Sequence, residues 1–448
     1  MALPNMYDVV MRKMHSDNSP PIKGVKSTPQ LFTKLHTHRL EMAISIFTLL
    51  FLYFFYSRYA HTEWDDGCGC DKNDLTYYRK TFFLPYVDKF KSESVPLMKA
   101  TINGSDFKLP MDTGSTGVLI GAPLLPDVDA SKGKPSYEYL SSSNILYNGN
   151  LVDLPITFHG EKKTYVTATV PVLVVEKSVK CPWYNAEVDN GVCPPNPDGP
   201  PPTPRDLSKI TYMGVGFGRN KPGDGQPNAI PAANPFLNIG SINGRRLKAD
   251  ELRTGYTLST KGVYLGLTSR NTHDFVWADL PAGVTHDTDP RDWAMVPMCF
   301  SLNDEGNNCG SALIDTGINQ MYLRTDVGVV TPNVTVKNPK YPKYSKNKYV
   351  TRVKPGTKIA IGFPSNDEKG VAGYIIEVGK KSPVAPAYVV PGKQSPPPFV
   401  NTGRNFIFGW DVAFDAIGGR FGFRPTSPPN MPPTEGPEEP EESDEESH

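Results

Sequence analysis

A mainly β fold is expected from three features of the sequence. The 448 residues include 45 Pro and 39 Gly among many Val, Tyr, Phe and Thr, which suits short strands joined by turns better than long helices. Runs that alternate apolar and polar side chains recur from Val95 onward. Two of the apolar runs, one in each half of the chain, end in the same triplet, Asp-Thr-Gly.

Length alone argues for two or three compact units. Lys and Arg total 47 against 47 Asp and Glu. Nothing in that balance supplies the concentrated basic face a nucleic-acid partner needs, so none is expected. The balance hides an asymmetry, because Pro425 to His448 hold eight acids and no Lys or Arg.

The one long apolar run, Met42 to Ser57, is uncharged for 16 residues and slightly short for a span of about 20 residues. Arg12, Lys13, Lys23, Lys26, Lys34 and Arg39 precede it, and Glu63, Asp65 and Asp66 follow. The positive-inside rule then puts the N-terminus in the cytosol and the rest in a lumen or outside the cell, a single-pass type II arrangement. A cleaved signal peptide is the rival reading. It fits less well, because 40 residues come first and cleavage after Ala60 sets Arg58 where a small residue is wanted.

All six cysteines follow the run, where an oxidising compartment permits disulfides. Spacing favours Cys181–Cys193 and Cys299–Cys309 as local loops. Cys68 and Cys70 are left open between an intermolecular bridge, acylation near the membrane and idle thiols. The glycosylation sequons at Asn103 and Asn333 lie on the same side.

Strands are expected over Leu97–Ile102, Phe107–Met111, Gly117–Ile120, Leu151–Phe158 and Tyr165–Val175. A Pro- and Gly-rich surface loop follows from Cys181 to Arg205, and a second strand-rich half runs from Tyr256 to Phe423. No Walker-type loop, metal-spaced His/Cys cluster or G-x-S-x-G elbow is present, so no metal or cofactor is expected.

The candidate chemistry lies in Leu109-Pro-Met-Asp112-Thr113-Gly114-Ser115 and Ala312-Leu-Ile-Asp315-Thr316-Gly317-Ile318. A lone Asp-Thr-Gly is an ordinary turn. Two of them, each delivered by an apolar strand, make a pair of carboxyls that cannot both ionise at close range and so hold one proton. One then activates water while the other polarises a carbonyl. Thr113 and Thr316 can tie the two turns together, and Gly114 and Gly317 let the backbone bend beneath the carboxyls.

On these residues the chain resembles the pepsin family of aspartic proteases, from Phe82 to Pro425. The stretch Val95 to Ser115 is similar to that family's first strands. Tyr212-Met-Gly-Val-Gly-Phe-Gly218 is similar to the segment closing its first active-site loop, and Phe406 to Phe423 to its closing strand. Cys309, six residues before Asp315, is similar to the cysteine of a small disulfide that some relatives carry.

The resemblance implies a bilobal fold in which Asp112 and Asp315 hydrolyse polypeptides without a cofactor, in a monomer. Taken with the apolar run and the polar composition of both ends, it divides the chain into a disordered cytosolic tail (1–40), a transmembrane signal anchor (41–59), a stalk (60–80), an N-terminal lobe (81–255), a C-terminal lobe (256–424) and a disordered acidic tail (425–448). It implies that Tyr139 covers the substrate from a flap hairpin, with Tyr147 as runner-up and Leu119 where a supporting Trp is common.

Ile318 departs from the family's Ser or Thr. A hydrogen bond to a charged group is worth about 1.5–3 kcal/mol, so loss of that donor raises the pair's pKa by about one to two units. The departure leaves a second reading, a non-catalytic domain of the same fold that binds a protein or glycan.

Overall fold

A computed structural model describes residues 74–196, 199–339, 341, 347–392 and 397–426. The expected tail 1–40, the span 41–59, Cys68 and Cys70 lie outside them, as does the acidic tail from 427 onward. No helix among the described residues is long and apolar enough to cross a membrane.

The chain is mainly β, with only short 3-10 turns between strands among the described residues. A nine-stranded sheet is built from residues 97–246 and a seven-stranded sheet from residues 296–401. A six-stranded sheet joins Phe82–Pro85, Arg253–Ser259, Gly262–Leu267 and Val276–Asp279 to the last two strands, Trp410–Asp415 and Arg420–Pro425. It therefore draws on both ends of the described chain. At its centre Arg253 and Asp415 are fully buried, with Nε on Oδ1 and Nη2 on Oδ2 both at 2.9 Å, and Arg420 Nε also reaches Asp415 Oδ2 at 2.9 Å. Such a buried fork is satisfied only while both partners remain.

The strands follow the alternation read in the sequence. In Ser105–Asp112 the residues Phe107, Leu109 and Met111 face the core while Asp106 and Lys108 face solvent. The strand pairs with Leu97–Ile102 through a two-residue turn at Asn103-Gly104, whose positive φ values of 48° and 80° suit those residues and match the strands' twist. Tyr165–Lys180 carries an unbroken buried run because both of its faces are covered, Val172 and Val174 lying in the main core and Leu173 and Val175 in a second cluster with Leu119 and Tyr147. The strand Ile145–His159 starts six residues before the expected Leu151, since it pairs along its whole length with Tyr165–Lys180.

Both expected disulfides are formed. Cys181–Cys193 closes the surface loop with Cα atoms 6.0 Å apart. Cys299 and Cys309 are cross-strand neighbours in one antiparallel pair, 4.0 Å apart at Cα. Asn103 and Asn333 are both exposed.

Candidate active site

Asp112 ends the strand Ser105–Asp112, and Asp315 lies two residues beyond Glu305–Leu313. Each strand runs parallel to a short neighbour. Met111 and Asp112 pair with Met213 and Gly214, and Ser311, Ala312 and Leu313 pair with Phe399, Val400 and Asn401. The sheets thus deliver both Asp-Thr-Gly turns to one place, where Asp112 and Asp315 are each 5% exposed.

The turns lock through crossed hydrogen bonds. Thr113 N–H donates to Thr316 Oγ1 at 3.1 Å, and Thr316 N–H donates to Thr113 Oγ1 at 3.0 Å. Each hydroxyl passes its own proton across, Thr113 to Ile314 O at 2.6 Å and Thr316 to Met111 O at 2.9 Å. The glycines make the approach possible. A Cβ on Gly317 would stand 2.6 Å from Asp112 Cγ, and one on Gly114 would stand 2.6 Å from Asp315 Oδ1, so any side chain there collides with the opposite carboxyl.

Around the carboxyls the symmetry is partial. Gly114 N–H donates to Asp112 Oδ1 at 2.6 Å, and Gly317 N–H to Asp315 Oδ1 at 2.7 Å. Asp112 Oδ2 receives Ser115 Oγ at 2.9 Å and the Tyr212 hydroxyl, which also lies 3.2 Å from Ser115 Oγ. Asp315 Oδ2 receives Asn401 Nδ2 at 2.6 Å. Asn401 is oriented by Gly403 N–H, which donates to its Oδ1 at 3.0 Å. Ile318 supplies no donor, as expected, and the side-chain donor that reaches Asp315 Oδ2 is instead the Asn401 amide from the neighbouring parallel strand.

Burial, the charge of Asp112 and a hydrogen bond between the two carboxyls hold Asp315 well above the usual carboxylate range, against the donations of Asn401 and Gly317. Burial first, and then the field of Asp112, raises the Tyr212 hydroxyl, which stays protonated as a donor. Arg404, 3% exposed, donates from Nη2 to Gly317 O at 2.9 Å, so a guanidinium backs the Asp315 turn. Burial lowers its pKa, with the charges of Asp315, Asp112 and Glu93 opposing.

The expected flap tyrosine sits elsewhere. Tyr139 is 6% exposed, its ring packed on Tyr184 at 4.5 Å within a cluster that includes Cys181. Its hydroxyl donates to Asn144 Oδ1 at 3.1 Å and Cys181 O at 3.3 Å. Tyr139 therefore belongs to the wall around the disulfide loop. Tyr147, also 6% exposed, shares a cluster with Leu119, and Arg205 Nη1 donates to its hydroxyl at 3.2 Å. The side chain on the opposite face from Tyr139 is Glu138, whose Oε2 would lie 4.0 Å from a Cβ on Gly117.

Sequence reading placed Asp112, Thr113, Gly114, Ser115, Asp315, Thr316 and Gly317 together, and all seven meet. It missed Tyr212, Asn401, Glu138 and Arg404. Tyr212 opens the segment already likened to the one that closes the first active-site loop, without a role of its own, whereas Asn401 gives no signal 86 positions from Asp315. Among the described residues no group of His, Cys, Asp and Glu could hold a metal ion. A groove of about 430 Å³ opens nearby, lined by Gly218, Asn220, Met295, Gly310 and Ser311 among others. No family model matches the sequence, and no curated protein matches it.

Proposed function

We propose that the chain is an aspartic endopeptidase of pepsin-like, two-lobed architecture, with its lobes at 81–255 and 256–424 and its site between them. The observation that carries the reading is the crossed pair of Asp-Thr-Gly turns. Two buried carboxyls in hydrogen-bond contact hold one proton, and burial with the charge of Asp112 favours it on Asp315.

The chemistry follows from that arrangement. Asp112 takes a proton from a water molecule as its oxygen attacks the peptide carbonyl carbon. Asp315 gives its proton to the carbonyl oxygen, forming a neutral gem-diol. The carbon–nitrogen bond then breaks as the proton on Asp112 passes to the leaving nitrogen, and a diol proton returns to Asp315. Every step is proton transfer and water addition, so no metal or cofactor is required.

The two disulfides favour a lumenal or extracellular site of action, in keeping with a membrane anchor at 41–59. The second reading, a non-catalytic domain that binds a protein or glycan, rests on Ile318 and the altered flap; the donation from Asn401 weighs against the first ground, and the packing of Tyr139 on Tyr184 leaves the second.

The test is to incubate the full chain with a mixed peptide library from about pH 3 to pH 7, beside the variant Asp112→Asn. Cleavage by the wild type that the variant loses is the expected result. Cleavage unaffected by the substitution, or none at any pH from folded protein, overturns the reading.

A further inference from the structure

The wall beside Asp112 holds polar atoms that peptide hydrolysis leaves unused. Glu138 stands near the end of the strand Lys134–Leu140, 6% exposed, and its Oε1 is buried without a hydrogen-bond partner among the described residues. Strand alternation turns it away from Tyr137 and Tyr139 and toward the Asp112 turn, at Gly117.

Residues 219–228 lie along the same strand. Tyr139 N–H donates to Gly225 O at 2.8 Å, and Asn228 Nδ2 donates to Tyr137 O at 3.4 Å. Gln226, 4% exposed, also has a buried Oε1 without a partner among the described residues. Arg219 places Nη1 on Asp224 at 3.3 Å and leaves its buried Nε unbonded. With the buried Asn220 Oδ1, three acceptors thus wait without partners among the described residues against one donor, and that donor's charge already has a carboxylate. A buried polar atom left unbonded is costly, so the complement of this wall is a ligand that brings donors and positive charge.

We propose that Glu138 is a specificity-determining residue that receives a cationic side chain, lysine or arginine, of the peptide held at Asp112 and Asp315, on the Asp112 side of the scissile bond. The proposal rests on the protease reading and names the substrate class that site prefers. An ammonium arriving at a neutral carboxyl displaces its proton to solvent and leaves a charge-assisted hydrogen bond, about twice as strong as a neutral one.

The groups facing Glu138 set the pH at which this matters. Burial, and then the charge of Asp112, push it up to about 8, with Arg219 pulling the other way. Across the strand pair stands Tyr147, whose hydroxyl accepts a hydrogen bond from Arg205 Nη1. A carboxyl with a raised pKa is neutral in acid and ionises as pH climbs toward that value. Preference for a cation is therefore small near pH 4 and grows toward pH 8.

The experiment compares fluorogenic peptides that differ only by lysine or norleucine at each of the three positions on either side of the cleaved bond. They are given to the full chain and to Glu138→Gln from pH 4 to pH 7. At one position the ratio of kcat/KM for lysine over norleucine is expected to rise at least tenfold across that range, and to stay flat in Glu138→Gln. A wild-type ratio that does not rise overturns the proposal whether or not the variant folds, as does an equal rise in a folded variant.

Fluorescein-labelled copies of the same peptides are titrated with the protein in parallel. Cleavage that depends on Asp112 but shows no lysine preference sinks this proposal and spares the protease reading. Lysine-selective binding that Glu138→Gln abolishes, without cleavage, supports the cationic subsite and sinks the protease reading. Absence of both cleavage and selective binding sinks the two together.

Discussion

The turns at Asp112 and Asp315 have the same backbone plan and different surroundings. Each glycine amide donates to its own aspartate at 2.6 or 2.7 Å, and the threonine bonds between the turns agree to 0.1 Å, at 3.1 and 3.0 Å. In both halves a parallel neighbouring strand also sends one side chain to the outer carboxyl oxygen: Tyr212 to Asp112 and Asn401 to Asp315. The contrast is in the rest. Asp112 keeps Ser115 as a further donor, whereas Ile318 leaves Asp315 to Asn401 alone, with Arg404 behind the turn. What must be equal for two carboxyls to meet is built from backbone and threonine, and which of them carries the shared proton is set by the side chains around them, Ser115 and Tyr212 at Asp112 and Asn401 at Asp315.

Substitution of the shared part breaks both halves alike. Gly114→Ala and Gly317→Ala each drive a methyl into the opposite carboxyl, and a displacement of about 1 Å at a reacting centre costs about 100-fold. Each variant is expected to lose at least that much in kcat/KM for a cleaved peptide, by similar factors. A tolerated alanine at either position would show that the turns do not meet as described.

The unequal part gives a smaller, one-sided effect. Asn401→Ala removes a donor from Asp315 that favours its charged form, so the basic limb of the pH profile should move up by about one to two units, from the 1.5–3 kcal/mol of a hydrogen bond to a charged group. The profile of kcat/KM against pH checks it, and no movement would remove Asn401 from the account. Smaller still is Ile318→Thr. A hydroxyl offered where Asn401 already donates should lower that limb by less than one unit, and a larger shift would mean that Asn401 does not fill the role.

How much of this was legible in the sequence follows the same division. The two Asp-Thr-Gly triplets and the alternation around Leu97, Phe107 and Tyr165 reveal the strands and the seven residues of the paired turns, because local pattern encodes a strand and its turn. Asn401 and Tyr212 reach the carboxyls only through parallel strand pairing, which has no local signature. The flap is where the expectation fails. Tyr139 was expected to cover the substrate, but the fold packs it onto Tyr184 and buries its neighbour Glu138 on the opposite face of the strand, where burial and the charge of Asp112 push the carboxyl up to about 8. The cysteine loops were legible, since Cys181–Cys193 and Cys299–Cys309 are the shortest closures once Cys68 and Cys70, too near each other for an easy bridge, are set aside, and both formed.

The central claim is that Asp112 and Asp315 work as one pair with one proton between them. The most direct measurement is kcat/KM from pH 3 to pH 8 for a single cleaved peptide, with the full chain and with Asp112→Asn and Asp315→Asn. The account predicts a bell-shaped profile with two apparent pKa values and a loss of activity in both variants beyond the roughly 100-fold of a single acid–base contribution. A profile without a basic limb, or a variant that retains most of its activity, would contradict it.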